Sequence, residues 1–120
     1  MKKLIALVFS LFAATANASG GAGLQHSGAN LNDQKSLQDG AALFVNYCMS
    51  CHSLKYMRYS RMAADLGLTE DQVMGSLNFT GAKFGEVMTV AMTAADGEKW
   101  LGKAPPDLSL VARVRGGPDW

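Results

Sequence analysis

Cys48-Met49-Ser50-Cys51-His52 constrains this chain more than any other stretch. It has the form C-x-x-C-H and holds both cysteines of the sequence and one of its two histidines. Two thiols three positions apart lie on one helical turn, and each can add to one of the two vinyl groups of a haem. His52, the next residue, then lies under the iron and can donate a ring nitrogen as proximal ligand. Other chemistries use the same side chains. A thiol–disulfide site belongs in a βαβ context, which the sequence does not show. A zinc site would have Cys48, Cys51 and His52, with only the distant His26 as a fourth ligand, where structural zinc takes a second ligand pair. A plain structural disulfide needs only the two sulfurs.

The N-terminus bears on that choice. Met1-Lys2-Lys3 is a basic start, an apolar run of about eleven residues follows, and Ala16-Asn17-Ala18 supplies a small-x-small cleavage pattern. Residues 1–18 therefore read as a secretory signal peptide. The run is too short for a membrane-spanning helix, which needs roughly 20 apolar residues. Export together with the pentapeptide favours haem over the other readings. Cleavage after Ala18 leaves about 102 residues, enough for one small domain of the kind that usually adds disulfides, a metal or a cofactor. The formal net charge of +1 indicates no broad attraction to nucleic acid. No later segment of the sequence as given is apolar and long enough to be an anchor.

Residues 19–33 are rich in Gly, Ser and Asn and read as a flexible leader. His26 lies there and reads as solvated. The spacing predicts a helix starting near Ser36, with Asp33 as a competing start. Leu37, Ala41, Phe44, Val45 and Cys48 form its apolar stripe, which runs into the pentapeptide. Thr69-Glu70-Asp71-Gln72 matches a capping box and opens a second helix with Val73, Met74 and Leu77 inward. Phe84, Val87, Met88 and Ala91 fit a third helical stripe. Pro105-Pro106 must leave helix. A last short helix is expected after Asp107 or Ser109, ending at Gly116-Gly117. Lys55, Arg58 and Arg61 recur every three residues and read as a solvated helix face. No run of alternating strands is evident, so the expected class is mainly α with long loops.

A low-spin electron-transfer haem takes a sixth ligand, often Met. Met49 lies within the motif and cannot reach round the ring, and Met57 and Met62 follow too closely. Met74, Met88 and Met92 remain. Met88 and Met92 lie on or beside the stripe begun by Phe84, which suits core packing.

The stretches GAALFVNYCMSCHSLKYMRYSRMAADLGLTEDQV and APPDLSLVARVRGG resemble the N-terminal half of the cytochrome c1 family of proteobacteria, from about Leu31 to Trp120. The resemblance implies a cytochrome c-like haem domain over residues 34–120, with Cys48 and Cys51 as thioethers and His52 as the iron ligand. It also implies that Pro105 and Pro106 lie along the haem and that Arg115, which fits better than Arg113, meets a propionate as guanidinium to carboxylate. It further implies an electron carrier, not a catalyst alone. That carrier takes electrons from the Rieske iron–sulfur protein and passes them to a soluble cytochrome c. It stands beside cytochrome b at the periplasmic face of the inner membrane. The family's distal Met and C-terminal membrane anchor lie downstream of the ARVRGG segment, so the sequence is expected to represent an N-terminal part. A free-standing periplasmic c-type cytochrome and a periplasmic thiol–disulfide oxidoreductase are the alternatives.

Overall fold

The computed structural model describes residues 25–115 and 117–118. The expected signal peptide, residues 19–24 of the leader, Gly116 and Trp120 lie outside the described residues.

Helix α1 spans Gln34–Leu43. Asp33 is its cap, the carboxylate accepting from the Ser36 amide at 3.0 Å. The expected start at Ser36 is thus corrected. Ser36 lies inside the first turn, while Asp33 stands one residue outside it, where unpaired helix amides face an acceptor. Leu37, Ala41 and Phe44 pack on the core as the stripe requires. The helix then widens into a π-turn, Phe44–Cys48, in which the Met49 amide reaches back five residues to the Phe44 carbonyl at 2.9 Å. The extra residue per turn shifts the facing. Met49 is buried and Cys48 is exposed, so Cys48 leaves the apolar stripe in which its spacing had placed it.

Residues 54–60 correct a second expectation. Strand β1, Leu54–Arg58, pairs antiparallel with the two-residue strand β2, Val87–Met88, with an irregular register between the Leu54–Met88 and Arg58–Val87 pairs. Lys55 and Arg58 therefore belong to a strand and share no helix face with Arg61. Arg58 donates to the Gly85 carbonyl, and Arg61 pairs with Asp65 one helical turn on, at 2.7 Å. Helix α2, Tyr59–Leu66, follows directly and closes on Gly67, whose φ of 61° is the left-handed conformation that glycine adopts without penalty.

Helix α3, Glu70–Ser76, carries the expected capping box: Thr69 Oγ1 accepts from the Gln72 amide at 3.2 Å, and Gln72 Oε1 accepts from the Thr69 amide at 2.8 Å. The third helix expected from Phe84, Val87 and Met88 does not form. The Phe84 and Glu86 carbonyls accept from the Ser60 and Tyr59 amides of the β1–α2 junction, at 2.9 and 3.2 Å, so this backbone is spent on the sheet. Met88 is fully buried by that pairing, whereas Ala91 is exposed and Met92 half-buried outside the core.

Helix α4, Ala94–Leu101, was not legible from periodicity. Its cap is Thr93, which accepts from the Asp96 amide at 3.1 Å. Helix α5, Val111–Val114, has no side-chain cap, so neither Asp107 nor Ser109 serves as one. The core centres on Tyr59, Met88 and Val73, all fully buried, with Val45, Met49, Met62, Leu66 and Leu77 around them. Each such side chain contributes about 1.5–3 kcal/mol by leaving water. The five helices, one π-turn and two-stranded sheet make the described residues a mainly α structure with long loops, as expected. Among the described residues no helix is long and apolar enough to cross a membrane.

Candidate haem-attachment site

The pentapeptide forms one tight turn at the end of the π-turn. The Cys48 carbonyl accepts from the Cys51 amide at 3.1 Å and from the His52 amide at 2.9 Å. Both cysteines are free thiols, Cys48 exposed and Cys51 half-buried. Met49 points the other way, into the core, where the Tyr59 hydroxyl lies 4.0 Å from its sulfur. Tyr59 also meets the Thr80 hydroxyl at 3.1 Å. The motif is thus fastened to the domain by the side chain between its two cysteines.

His52 Nδ1 lies 2.7 Å from the Pro106 carbonyl oxygen. A carbonyl only accepts, so Nδ1 carries the proton and donates, and the lone pair of a neutral ring is left on Nε2. This is the tautomer a metal-binding imidazole requires, held by the kind of backbone partner that orients such ligands. The donor set therefore fits haem c: two thiols on one turn and a histidine whose remaining ring nitrogen is an available base.

Pro106 reaches His52 because the chain around it is laced to β1. The Leu108 amide donates to the Ser53 carbonyl at 3.0 Å. Asp107 Oδ2 accepts from the Lys55 amide at 2.8 Å, and Ser109 Oγ from the Tyr56 amide at 3.2 Å. The buried Ser53 hydroxyl accepts from the Val90 amide at 3.0 Å, which ties in the segment after β2. Pro105 and Cys51 line one cavity of about 250 Å³, shared with Met92, Val90 and Thr93. Burial by itself would raise the Asp107 carboxyl. The Ser109 hydroxyl, the Lys55 and Ser109 amides and the Lys55 charge outweigh that and hold it below the usual carboxylate range.

The structure thus brings together Cys48, Cys51, His52, Pro105 and Pro106. Arg115 ends α5, its amide on the Val111 carbonyl and its side chain exposed, and it is not among the residues lining the Cys51 cavity. His26 lies in the exposed leader, where its Nδ1 accepts from the Gly28 amide at 3.0 Å. Sequence reasoning missed Ser53, Asp107 and Ser109 as parts of the site. A signal was present: Asp-x-Ser favours an Asx turn as well as a helix start, and the Ser109 amide donates to Asp107 Oδ1 at 2.9 Å.

Comparison with known proteins places the same stretch. Residues 25–99 match the family described as Cytochrome C1. The whole chain is 51% identical to cytochrome c1 of Allochromatium vinosum, over 50% of that protein. Over 73% of the chain it is 47% identical to a Nitrosomonas europaea protein named ammonia monooxygenase gamma subunit, over 37% of that protein. It is 34% identical to cytochrome c1 of Rhodospirillum rubrum, over 73% of the chain and 39% of that protein. The chain spans half or less of the length of these relatives.

Proposed function

The chain belongs to the cytochrome c1 family, whose members bind haem c covalently, and on that premise we propose that it transfers electrons through a haem held by Cys48, Cys51 and His52. Bound there, haem c supplies a one-electron iron couple. The chain supplies the rest. Cys48 and Cys51 tether the group through sulfur. His52 offers Nε2 to the iron while Pro106 holds the Nδ1 proton, which fixes ring orientation and raises the basicity of the ligand. Pro105 lines the cavity beside Cys51, and Pro106 meets the His52 ring next to it. Arg115 would meet a propionate, and the support for that role is the family resemblance alone.

The observation that carries this reading is the 2.7 Å contact between His52 Nδ1 and the Pro106 carbonyl. A disulfide enzyme has no use for a ring nitrogen tied in this way beside its second cysteine. Its usual βαβ frame is also absent among the described residues, which contain one antiparallel strand pair.

The proposed path runs from the Rieske iron–sulfur protein to a soluble cytochrome c, beside cytochrome b at the periplasmic face of the inner membrane. The support is family membership and an N-terminus that reads as an export signal. The test uses the full chain matured in a periplasm with haem-attachment machinery. Reduced Rieske protein should reduce it, and oxidised soluble cytochrome c should reoxidise it, one electron per haem. A haem-loaded chain that exchanges electrons with neither contradicts the path and leaves attachment standing.

A further inference from the structure

We propose that Asp107, backed by Ser109, is a positioning residue that holds the Pro106 carbonyl on His52 and so sets the electron-donating strength of the His52 ring. The inference rests on the haem reading above. Two prolines, Pro105 and Pro106, directly precede Asp107. Neither has an amide hydrogen, so this stretch cannot be pinned by donors of its own. The residues that pin it come next. The Asp107 carboxylate accepts from the Lys55 amide at 2.8 Å with one oxygen and from the Ser109 amide at 2.9 Å with the other. Lys55 is in the strand that His52 leads into, so the carboxylate ties the residue after Pro106 to the backbone three residues after His52. Ser109 repeats the tie one step on, at Tyr56.

The opposite side of the stretch is also fixed. A Cβ on Gly97 of α4 would stand 2.9 Å from Pro105 Cδ and 3.2 Å from Ala104 Cα. The buried glycine lets the helix lie directly on this segment. The segment is therefore held at Ala104 and Pro105 by α4 and just beyond Pro106 by β1, and Asp107 is the charged fastening on the β1 side. A hydrogen bond accepting from a neighbouring charge-free amide is stronger when the acceptor is ionised, which suits a carboxylate better than an amide side chain here.

The consequence for His52 has a definite sign. Donation from Nδ1 makes Nε2 a stronger base, and a stronger base favours the oxidised iron. Slackening the latch lengthens the Nδ1 contact, so the midpoint potential rises and the Nδ1 proton exchanges faster. Charge alone could also raise the potential when a carboxylate is removed, so the variants must separate the two. Asp107→Glu keeps the charge and misplaces it. Asp107→Ala removes both. Ser109→Ala removes the second tie and no charge.

The test measures the midpoint potential of the haem-loaded full chain and, separately in its reduced carbon monoxide complex, exchange of the His52 Nδ1 proton by nitrogen-15 NMR. Asp107→Glu should raise the potential and speed exchange at least tenfold, and Ser109→Ala should move both in the same direction by less. If Asp107→Ala fails to fold, these two variants carry the test. Unchanged exchange in folded Asp107→Glu overturns the proposal, as does a raised potential in Asp107→Ala with exchange unaltered. Should the chain attach no haem, the functional reading fails separately. The latch is then read from the His52 ring nitrogens of the haem-free full chain. A proton on Nδ1 that moves to Nε2 in Asp107→Glu supports it, and the same tautomer in both overturns it.

Discussion

His52 and Pro106, 54 positions apart, meet with 2.7 Å between Nδ1 and the carbonyl oxygen. The residues that follow each of them explain the meeting. It follows from a row of contacts in which Ser53, Lys55 and Tyr56 on one side bind Leu108, Asp107 and Ser109 on the other. The double proline supplies a carbonyl with no competing amide, and the pentapeptide supplies the donor.

Asp107 makes stability depend on acid. Its carboxyl is held below the ordinary value of about 3.9. A depressed carboxyl contributes its stabilisation fully above that value and loses it as pH falls through the lower folded value. Asp107→Asn should cost about 1 kcal/mol at neutral pH, a charged-acceptor hydrogen bond reduced by solvent screening at a site open to water. The deficit should shrink below about pH 4. Urea unfolding of the full chain at pH 7 and pH 3 checks both points, and a deficit equal at the two pH values contradicts them.

Thr69 is a control remote from the site. Its hydroxyl and the Gln72 side chain close the N-terminus of α3 reciprocally. Thr69→Ala should cost about 1 kcal/mol. Glycine at the same position should cost less, and neither change should alter the visible spectrum of the haem-loaded chain.

Met88 separates packing from ligation. Its side chain, on β2, is fully buried in the core cluster. Met88→Ala should cost about 2–5 kcal/mol through the lost apolar contact and the cavity left behind. Met88→Leu should cost less than about 1.5 kcal/mol and leave the spectrum unchanged. A spectrum altered by Met88→Leu in a folded chain would make Met88 an iron ligand.

Arg115 bears on the potential with the opposite sign from the latch. Near a propionate its charge favours the less positive, reduced iron. Arg115→Gln should lower the midpoint potential by roughly tens of millivolts, the effect of one charge at about 10 Å in a medium of effective dielectric about 20. An unchanged potential in a folded variant places Arg115 in solvent.

What the sequence disclosed follows from how local each signal is. The capping box at Thr69 is complete within four residues, and the pentapeptide within five, so both were readable. The stripe survives from Leu37 to Ala41 because α1 carries it, and Phe44 and Val45 keep their inward facing at the start of the π-turn. The stripe of Phe84, Val87, Met88 and Ala91 misled because three-and-four periodicity over eight residues does not exclude a short strand, here Val87–Met88 with Met88 buried. What decides there is Tyr59 and Ser60 taking the Glu86 and Phe84 carbonyls, partners more than 20 positions away. Cys48 left its stripe because of a π-turn, which apolar spacing does not announce. Asp107 and Ser109 looked like caps for the same reason: their partners, Lys55 and Tyr56, are more than 50 positions upstream.

The most direct measurement is the mass and visible spectrum of the full chain matured in a periplasm equipped for haem attachment. Denaturing mass spectrometry retains only covalent haem, and in alkaline pyridine the position of the visible band reports whether the haem vinyl groups have become thioethers. The expected result is one haem mass per chain that survives denaturation. Cys48→Ala and Cys51→Ala should each retain at most one thioether. A native chain with no added haem mass and an intramolecular Cys48–Cys51 disulfide would contradict the assignment of this site to haem.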